Sequence, residues 1–310
     1  MKVLLTGGTG FVGQAIVARL QAAGHATRVL ARRPTSPRSQ ALASRFAVDL
    51  AAGDVLEPPS LGPALAGVDA VIHLVGIISE AGRNTFDNAH RVATENLVRA
   101  AETAGVRRYV HMSALGTRPN AVSRYHQTKW MAEEFVRASP LAWTIFRPSL
   151  IYGPGDHFVN LFARLSRWSP VLPIFGTGRA RLQPVAVEAV AIAFVRALSE
   201  PQAVGQTYDL CGPTSLTFEE VLDTILASLG RRRMKLRLPM RLMRVPAALL
   251  EFLMPRLLGR APPLNRDQLA MLAEDNVGNP QPAQHLFDLP VESFRAGLDR
   301  LGSLGPRPAT

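Results

Sequence analysis

The sequence predicts an α/β fold: a doubly wound parallel sheet with a smaller, mostly helical C-terminal region. Three observations carry this prediction. Apolar runs of strand length alternate with segments of helical periodicity through the first half of the 310 residues. A glycine-rich turn joins the first of those runs to the first helical segment. A nearly all-apolar run at residues 70–76 is typical of a strand that helices cover on both sides.

The glycine-rich turn follows the apolar run Val3–Leu5 and opens the helical segment Gln14–Ala23. Gly8, Gly10 and Gly13 have the G-x-G-x-x-G spacing, which supplies a tight turn, close approach of phosphate to the backbone, and close packing of helix on strand. A pyrophosphate is favoured at the N-terminus of the helix that follows. The turn therefore predicts a dinucleotide site formed by Gly7, Gly8, Thr9, Gly10, Phe11, Val12 and Gly13.

The end of the second predicted strand, Thr27–Leu30, indicates which dinucleotide is bound. Enzymes that select NAD usually place an acidic residue here for the adenosine ribose, but the chain has no Asp or Glu between Gly13 and Asp49. Arg32 and Arg33 stand at this place instead. Guanidinium groups favour a 2′-phosphate, so we expect NADP(H), with NAD(H) as the alternative if the pair is merely solvated.

The following segments continue the alternation. We predict strands at Phe46–Ala51, Ala70–Gly76 and Arg108–Ser113, with a helix at Phe86–Ala104 before the last of them. Asp54 follows a turn glycine, and its carboxylate either reaches the adenine amino group or only closes the turn. The residues expected along the cofactor beyond the glycine loop are Asp54, Val55, Leu74, Val75, Gly76 and Pro148.

Tyr125 and Lys129 form the second pair with chemical meaning. Residues four apart share one face of a helix, so the phenol and the ammonium point the same way. A nearby cation favours the phenolate and brings the pKa of a tyrosine down from near 10. Lysine is also rare here, because the chain has 32 Arg and three Lys. We therefore predict that Tyr125 exchanges a proton with a substrate.

The glycine loop, the Tyr125–Lys129 spacing and the preceding Ser113 together resemble the short-chain dehydrogenase/reductase superfamily. Residues 146–156 resemble its extended and atypical arm, which includes nucleotide-sugar epimerases and dehydratases. A narrower resemblance, to relatives of the nucleotide-binding accessory subunit of respiratory complex I, rests on His157–Asn160, Gln183–Val185, Asn265–Leu269 and Asp275–Asn276. The likeness covers nearly the whole chain.

The resemblance implies roles for individual residues in cofactor binding. Gly7, Gly10 and Gly13 would hold the pyrophosphate, and Arg32 or Arg33 the 2′-phosphate. It also implies a division of the chain. Residues 1–148 and about 184–211 would form the NADP(H)-binding Rossmann domain, and about 149–183 and 212–310 the substrate and C-terminal region.

The resemblance also implies the catalytic roles. Tyr125 would be the acid/base, Lys129 would bind the nicotinamide ribose and lower the pKa of Tyr125, and Ser113 would polarise the substrate oxygen. Two residues depart from the pattern of the superfamily. Ala114 occupies a position that often carries a second hydroxyl, and His90 stands where an asparagine of the proton relay is common. Either change is compatible with altered or lost turnover.

The C-terminal half gives weaker signals. Pro- and Gly-rich residues 166–178 predict a loop over the substrate site, Thr217–Glu220 is a capping box that opens a helix to Leu229, and residues 281–310 read as a tail. We expect substrate-binding residues from 150–180 and from the C-terminal third. The sequence does not identify the substrate, and no metal site is predicted.

The net charge of +11 is concentrated in Arg231–Arg260, which has nine basic residues and one acidic residue. Nucleic acid is not expected as a partner, because aromatic residues do not alternate with these arginines. We predict a helix that starts at Pro246 and ends at Pro255. Arginines and Glu251 would lie on one side of it, opposite Leu242, Val245, Leu249, Phe252 and Leu253.

Two interpretations of that helix remain open. It is a docking surface for an anionic membrane face or an acidic protein, or it packs on the substrate region with its arginines solvated. We expect no signal peptide and no membrane-spanning helix, and hence a cytoplasmic protein, at most peripheral on the inner membrane face.

Three functions are consistent with these observations. The first is an NADP(H)-dependent oxidoreductase or epimerase that uses the Tyr125–Lys129 pair. The second is a nucleotide-carrying accessory protein of a membrane-associated respiratory complex, without turnover. The third is a nucleotide-sugar epimerase or dehydratase.

Overall fold

The structure is a computed structural model that describes residues 1–258, 262 and 265–302, without the side chains of Arg244 and of residues 255–258. Its strands are β1 Lys2–Thr6, β2 Ala26–Ala31, β3 Asp49–Ala52, β4 Ala70–His73, β5 Arg108–Met112, β6 Ala142–Pro148, β7 Ile151–Tyr152, β8 Val171–Phe175, β9 Arg181–Leu182, β10 Val185–Ala186, β11 Gln206–Leu210, β12 Leu216–Thr217 and β13 Met234–Leu238. The helices are α1 Phe11–Ala22, α2 Pro37–Phe46, α3 Leu61–Leu65, α4 Ala93–Thr103, α5 Arg124–Ala138, α6 Phe158–Trp168, α7 Val187–Arg196, α8 Phe218–Ser228, α9 Met240–Leu258, α10 Arg266–Leu272, α11 Gln281–Leu286 and α12 Phe294–Gly302.

Seven parallel strands form the central sheet in the order β11-β6-β5-β4-β1-β2-β3. The strand order reverses between β1 and β4, which places a crevice at the carboxyl ends of these two strands. This sheet confirms the predicted doubly wound fold. Short pairs of strands, β7 with β10, β9 with β12 and β8 with β13, lie outside it.

Alternate residues of each central strand enter different cores, because successive side chains point to opposite faces. Leu5 and Ile72 pack on one face with α1 and α7, whereas Leu4 and Val71 pack on the other with α3, α4 and α5. A separate apolar core joins α6, α8 and α12 to β8. It includes Phe162, Ile174 and Phe218.

Several predicted elements are wrong. The segment from Pro37 to Phe46 is helix α2, begun by the N-cap Ser36, so the third strand starts at Asp49 and not at Phe46. Residues 166–178 are not a loop, since α6 continues to Trp168 and β8 follows. The fourth and fifth strands end at His73 and Met112, which leaves Leu74–Gly76 and Ser113 in loops.

The C-terminal third is more regular than predicted. The capping box of Thr217 and Glu220 is confirmed at the start of α8. Helix α9 begins at Met240, before Pro246, and continues past Pro255, so neither proline is its limit. Within the predicted tail, α11 and α12 are helical, and residues 303–310 lie outside the described chain. No helix among the described residues is long and apolar enough to span a bilayer.

Candidate active site

The glycine loop lies between the end of β1 and the start of α1, at the edge of the crevice. Gly7 has a left-handed φ of +75°, and a Cβ there would lie 3.2 Å from the Leu74 Cβ. A Cβ at Gly13 would lie 2.2 Å from the Gly7 carbonyl oxygen, so only glycine lets α1 pack this closely. Gly10 is the N-cap of α1, and its Cβ would meet only the Gly7 oxygen, at 3.3 Å. The loop thus leaves a cradle that a side chain would fill, which fits a pyrophosphate.

The structure corrects the role of Gly8. The spacing assigns Gly8 the tight turn, but Gly7 is the residue with positive φ. A Cβ at Gly8 would lie 2.8 Å from the Val29 Cγ1 on the neighbouring strand, so this glycine serves packing. Thr9, Phe11 and Val12 lie between the glycines, at and just before the N-terminus of α1.

Other predicted cofactor residues line the crevice on either side of the loop. Leu74 donates its amide hydrogen to the Thr6 carbonyl at 3.3 Å, which holds the segment Leu74–Gly76 next to β1. Arg32 and Arg33 are exposed directly after β2, and the Arg32 Nη1 lies 3.4 Å from the Asn84 Oδ1. Both arginines are therefore open to solvent at the far end of the crevice.

Three further predicted residues have structural partners. The Asp54 Oδ1 accepts a hydrogen bond from the Leu56 amide at 3.0 Å, which is the turn-closing role. Val55 is buried in the core under α3. Pro148 is the last residue of β6, and the Leu115 amide donates to its carbonyl at 2.9 Å.

Lys129 is buried one helical turn after Tyr125 on α5. Its Nζ donates to the Met112 carbonyl at 2.9 Å, and a Cβ at Gly76 would lie 3.0 Å from the same nitrogen. The ammonium therefore joins the end of β5 to the loop after β4. Burial lowers the pKa of Lys129 to about 8, against the opposing effect of the Glu133 carboxylate.

Tyr125 is packed edge-on against three other rings. Its ring centroid lies 5.1 Å from His90, 5.1 Å from His126 and 6.0 Å from Phe86. Burial raises the pKa of Tyr125 to about 12, so the expected lowering by Lys129 is wrong for this structure. The reason is that desolvation disfavours the phenolate, while the Lys129 ammonium is directed to the Met112 carbonyl. The phenol is therefore protonated at neutral pH.

Of the two residues that depart from the superfamily pattern, Ala114 is buried and His90 has polar contacts, as has the neighbouring Ser113. Ser113 is buried, and its hydroxyl donates to the Thr117 Oγ1 at 3.3 Å; among the described residues no hydrogen bond joins it to Tyr125. His90 lies in a π-helical turn, Asp87–Val92, that leads into α4. Its Nδ1 lies 2.8 Å from the Thr128 Oγ1, and its Nε2 accepts from the Ile77 amide at 3.2 Å. Burial and the Lys129 charge hold the pKa of His90 well below its usual range, so this ring is neutral.

Comparisons with known proteins agree with this geometry. The family model described as NAD(P)H-binding matches residues 7–159. The chain is 30% identical to the 2-alkyl-3-oxoalkanoate reductase of Stenotrophomonas maltophilia, over 97% of this chain and 98% of that protein. The chain belongs to the extended and atypical arm of the short-chain dehydrogenase/reductase superfamily. It binds NAD(P)(H) through the glycine-loop domain.

A second relative and a solved structure are also similar to this chain. It is 30% identical to the mitochondrial NADH dehydrogenase (ubiquinone) 1 alpha subcomplex subunit 9 of Arabidopsis thaliana, over 87% of this chain and 69% of that protein. The fold matches the UDP-glucose 4-epimerase of Thermotoga maritima with a TM-score of 0.75, over 98% of both chains at 18% identity. The second likeness concerns the fold alone.

A cavity of about 610 Å³ lies near Tyr125, although Tyr125 is not one of its lining residues. Phe86 forms part of its wall and also contacts Tyr125 edge-on. Its other walls are the loop after β4, the start of α5, and helices α9 and α10, so none of its described residues comes from 150–180. The described lining comes from the C-terminal third and from the segments near residues 80 and 124, and which residues bind the substrate stays a prediction.

Residues 265–279 fasten the C-terminal region over the crevice. Asn265 caps α10 and donates through Nδ2 to the Ile78 carbonyl at 3.0 Å. The Asp267 Oδ1 accepts from the Arg124 amide at the start of α5, and the Asn276 Nδ2 donates to the Leu115 carbonyl. Gln183 accepts from the Gly278 amide at 3.0 Å. These residues carried the narrower resemblance, and they close the substrate side.

The burial of Lys129 has a consequence for stability. Its pKa, about 8 in the folded chain, lies below the ordinary 10.5, so between these pH values the unfolded chain holds a proton that the folded chain lacks. Stability therefore rises with pH across this window, by up to about 3 kcal/mol from this residue. Lys129→Met removes this dependence, and urea unfolding from pH 7.5 to 10.5 measures it.

Lys235→Met is the matched control. Its ammonium pairs with Glu219 and Asp223, which raises its pKa, so it stays charged throughout the window in both states. We expect parent and Lys235→Met to have parallel pH dependences up to pH 10. A Lys129→Met profile parallel to the parent would show that burial does not lower the pKa of Lys129.

Proposed function

We propose that the chain is an NADP(H)-dependent oxidoreductase that reduces a carbonyl group on a substrate with an apolar chain. The observation that carries the proposal is the position of the Tyr125 phenol. Its raised pKa keeps it protonated, it lies one helical turn from a buried ammonium, and its ring contacts Phe86, which lines a cavity of substrate size.

The protein residues have distinct tasks in this reaction. The glycine loop and the Lys129 ammonium would hold the dinucleotide, and bound nicotinamide supplies a hydride. Tyr125 donates its proton to the carbonyl oxygen as negative charge develops there. The pocket of Phe86, His90 and His126 keeps water from the ring during this transfer.

The cavity supports an apolar substrate over a sugar nucleotide. About half of its lining is apolar and includes Phe86, Val122 and Ala270. Its two described arginines both face carboxylates, Arg124 with Glu80 at 3.8 Å and Arg266 with Glu251 at 2.8 Å. With Asp267 also present, the described lining has one more acid than base, which disfavours a nucleoside diphosphate. The full-length likeness to a 2-alkyl-3-oxoalkanoate reductase supports the same substrate class.

The proposal is tested by NADPH oxidation with methyl ketones and 3-oxo acids of increasing alkyl length. We expect kcat/KM to rise about fourfold per added methylene until the cavity is full. UDP-glucose serves as the comparison substrate; it is incubated with NADP⁺ or NAD⁺ and analysed for UDP-galactose, because epimerisation oxidises no NADPH overall, and it should give no turnover. A flat dependence on chain length, or turnover of the sugar nucleotide, would contradict the proposed substrate class.

One observation favours a second function, that of a nucleotide-carrying accessory protein. Ser113 is engaged with Thr117, and the likeness to the NADH dehydrogenase subunit extends over most of the chain. Denaturing the purified protein and identifying the released nucleotide shows what it carries. A bound NADPH that no carbonyl substrate oxidises over hours would favour this second function.

We also propose that the cofactor is NADP(H) in preference to NAD(H). Arg32 and Arg33 are exposed where the 2′-phosphate would lie. Arg32→Ala and Arg33→Ala should together weaken NADPH binding about tenfold to a hundredfold and leave NADH binding unchanged. Fluorescence titration with both cofactors measures this, with the exposed Arg38→Ala on α2 as control. Equal affinities of the parent for both cofactors would rule out a phosphate site.

A further inference from the structure

The small ribbon of β8 and β13 has one apolar face that is partly exposed. In parallel pairing, residues in register share a face, and Met234, Leu236 and Leu238 of β13 are in register with Val171, Pro173 and Phe175 of β8. These six residues therefore form one face. Met234 is 74% exposed and Leu236 54% exposed. An apolar edge strand of this kind calls for a covering partner.

The opposite face of the ribbon is already used inside the protein. Leu172 and Ile174 are buried in the core with α8. Lys235 pairs with Glu219 and Asp223, and Arg237 pairs with Glu219. These two basic residues of the Arg231–Arg260 segment are therefore neutralised within the fold. Arg231 and Arg233 are likewise engaged, since they donate to carbonyl oxygens at the end of α6.

Helix α9 continues the apolar surface. The chain passes from β13 to α9 through Pro239, and Met240 lies against Gly176 at the end of the ribbon. Leu242, Val245, Leu249 and Leu253 recur at helical spacing and are all exposed, Val245 by 74%. The predicted apolar face is therefore exposed at these four positions, whereas Phe252 of the same predicted face lines the cavity. We call these four residues together with the six of the ribbon face the outer apolar surface.

Exposed arginines without a carboxylate partner in the described chain lie in the segments that precede and follow the two ribbon strands. Arg164 and Arg167 on α6, Arg232 before β13 and Arg241 on α9 form no ion pair among the described residues. Trp168 is 82% exposed beside them, with the Arg167 guanidinium 5.6 Å from its ring. An apolar centre with a tryptophan and arginines at its margin is the composition of a membrane-interface surface.

We propose that the outer apolar surface docks on an anionic lipid bilayer. Charge complementarity selects this partner, because the unpaired arginines attract lipid phosphates. The same charge disfavours a second copy of the chain as the partner, because the arginines of the two copies would face one another. Helix α9 would lie in the interface plane, with its other side forming a wall of the substrate cavity through Ala248 and Glu251.

Co-sedimentation with phosphatidylglycerol/phosphatidylcholine vesicles and with phosphatidylcholine vesicles, across a salt series, tests the proposal. We expect binding to the anionic vesicles that fades as salt rises. Leu242→Ser with Val245→Ser should weaken binding by about tenfold or more. Arg232→Gln and Arg241→Gln should each weaken it about fivefold at low salt. The emission of Trp168 should shift to the blue on anionic vesicles alone.

Control variants distinguish binding through this surface from nonspecific adsorption to vesicles. Val291→Ser removes an exposed apolar residue elsewhere, and Arg38→Gln an exposed charge elsewhere; both should bind as the parent does. Because all these positions are exposed, thermal unfolding should be unchanged. The proposal is overturned if the protein stays in the supernatant with anionic vesicles at low salt, or if the controls lose binding equally. It is also overturned if light scattering shows a dimer that Leu242→Ser with Val245→Ser dissociates.

Discussion

Tyr125→Phe is expected to slow carbonyl reduction about a thousandfold while NADPH binding stays within about twofold of the parent. The substitution removes only the hydroxyl that donates the proton. The ring contacts with Phe86, His90 and His126 remain, so the site keeps its shape. Single-turnover oxidation of bound NADPH, together with a cofactor titration, measures both quantities.

Tyr109→Phe is the control for loss of a phenol. Its hydroxyl is buried in the core and has no hydrogen-bond partner among the described residues. We therefore expect activity, cofactor affinity and stability close to those of the parent. Full activity of Tyr125→Phe would eliminate Tyr125 as the proton donor. If Tyr125→Phe lost NADPH affinity by the same factor as rate, Tyr125 would serve to maintain the cofactor site and not to donate a proton.

Glu133→Ala is expected to destabilise the fold by about 3–5 kcal/mol, as removal of one partner from a buried ion pair usually does. Glu133 is completely buried on α5, and it accepts hydrogen bonds from the Arg147 Nε at 2.8 Å and Nη2 at 2.6 Å. Arg137 pairs with the same carboxylate. Without it, the half-buried Arg147 guanidinium loses both hydrogen bonds. Urea unfolding at pH 7 measures the loss.

The neighbouring Glu134→Ala provides a matched control. Glu134 also pairs with Arg137, but its side chain is exposed, so we expect a change within about 0.5 kcal/mol. Glu133 has a second effect, because its charge opposes the lowering of the Lys129 pKa. In Glu133→Gln the pKa of Lys129 should fall further, and the alkaline limit of activity should move to lower pH. Equal stabilities of the two alanine variants would contradict the importance of burial.

The central sheet could be predicted because its signals are local. The glycine loop, the apolar strands and the helix periods each lie within a few residues of sequence. Helix α2 was missed because it buries only Ser39 and Leu42, and so it has little apolar periodicity. The strand β8 was missed because Pro170 and Pro173 read as breakers, although proline is tolerated in a strand that pairs on one side only.

The predicted limits of α9 at its prolines were wrong for a related reason. Pro246 removes one hydrogen bond, to the carbonyl of Leu242, and both residues are exposed, so water can satisfy that oxygen. The helix therefore continues where the sequence predicts a start.

Some features of the candidate site could likewise be predicted from the sequence, and others could not. The positions of Tyr125 and Lys129 follow from helical spacing, whereas the cavity joins residues near 80 to residues near 265. No periodicity connects such distant segments. Glu133 could have been found, since it stands four residues after Lys129 on the same helix face. The direction of the Tyr125 pKa could not, because it depends on how deeply α5 is buried.

The π-helical turn before α4 makes this site sensitive to chain length. Such a turn holds one residue more than an α-helical turn, so side chains before it are rotated by about 100° relative to those after it. Leu97, Val98 and Ala101 beyond the turn stay in the core. Deleting one residue from Asp87–Val92 would restore regular α geometry, leave that core in place and swing Phe86 away from Tyr125. The rotational position of the rings around Tyr125 is thus set separately from that of the core residues on α4. Gain or loss of a single codon can therefore change the ring contacts of Tyr125 without disturbing the core.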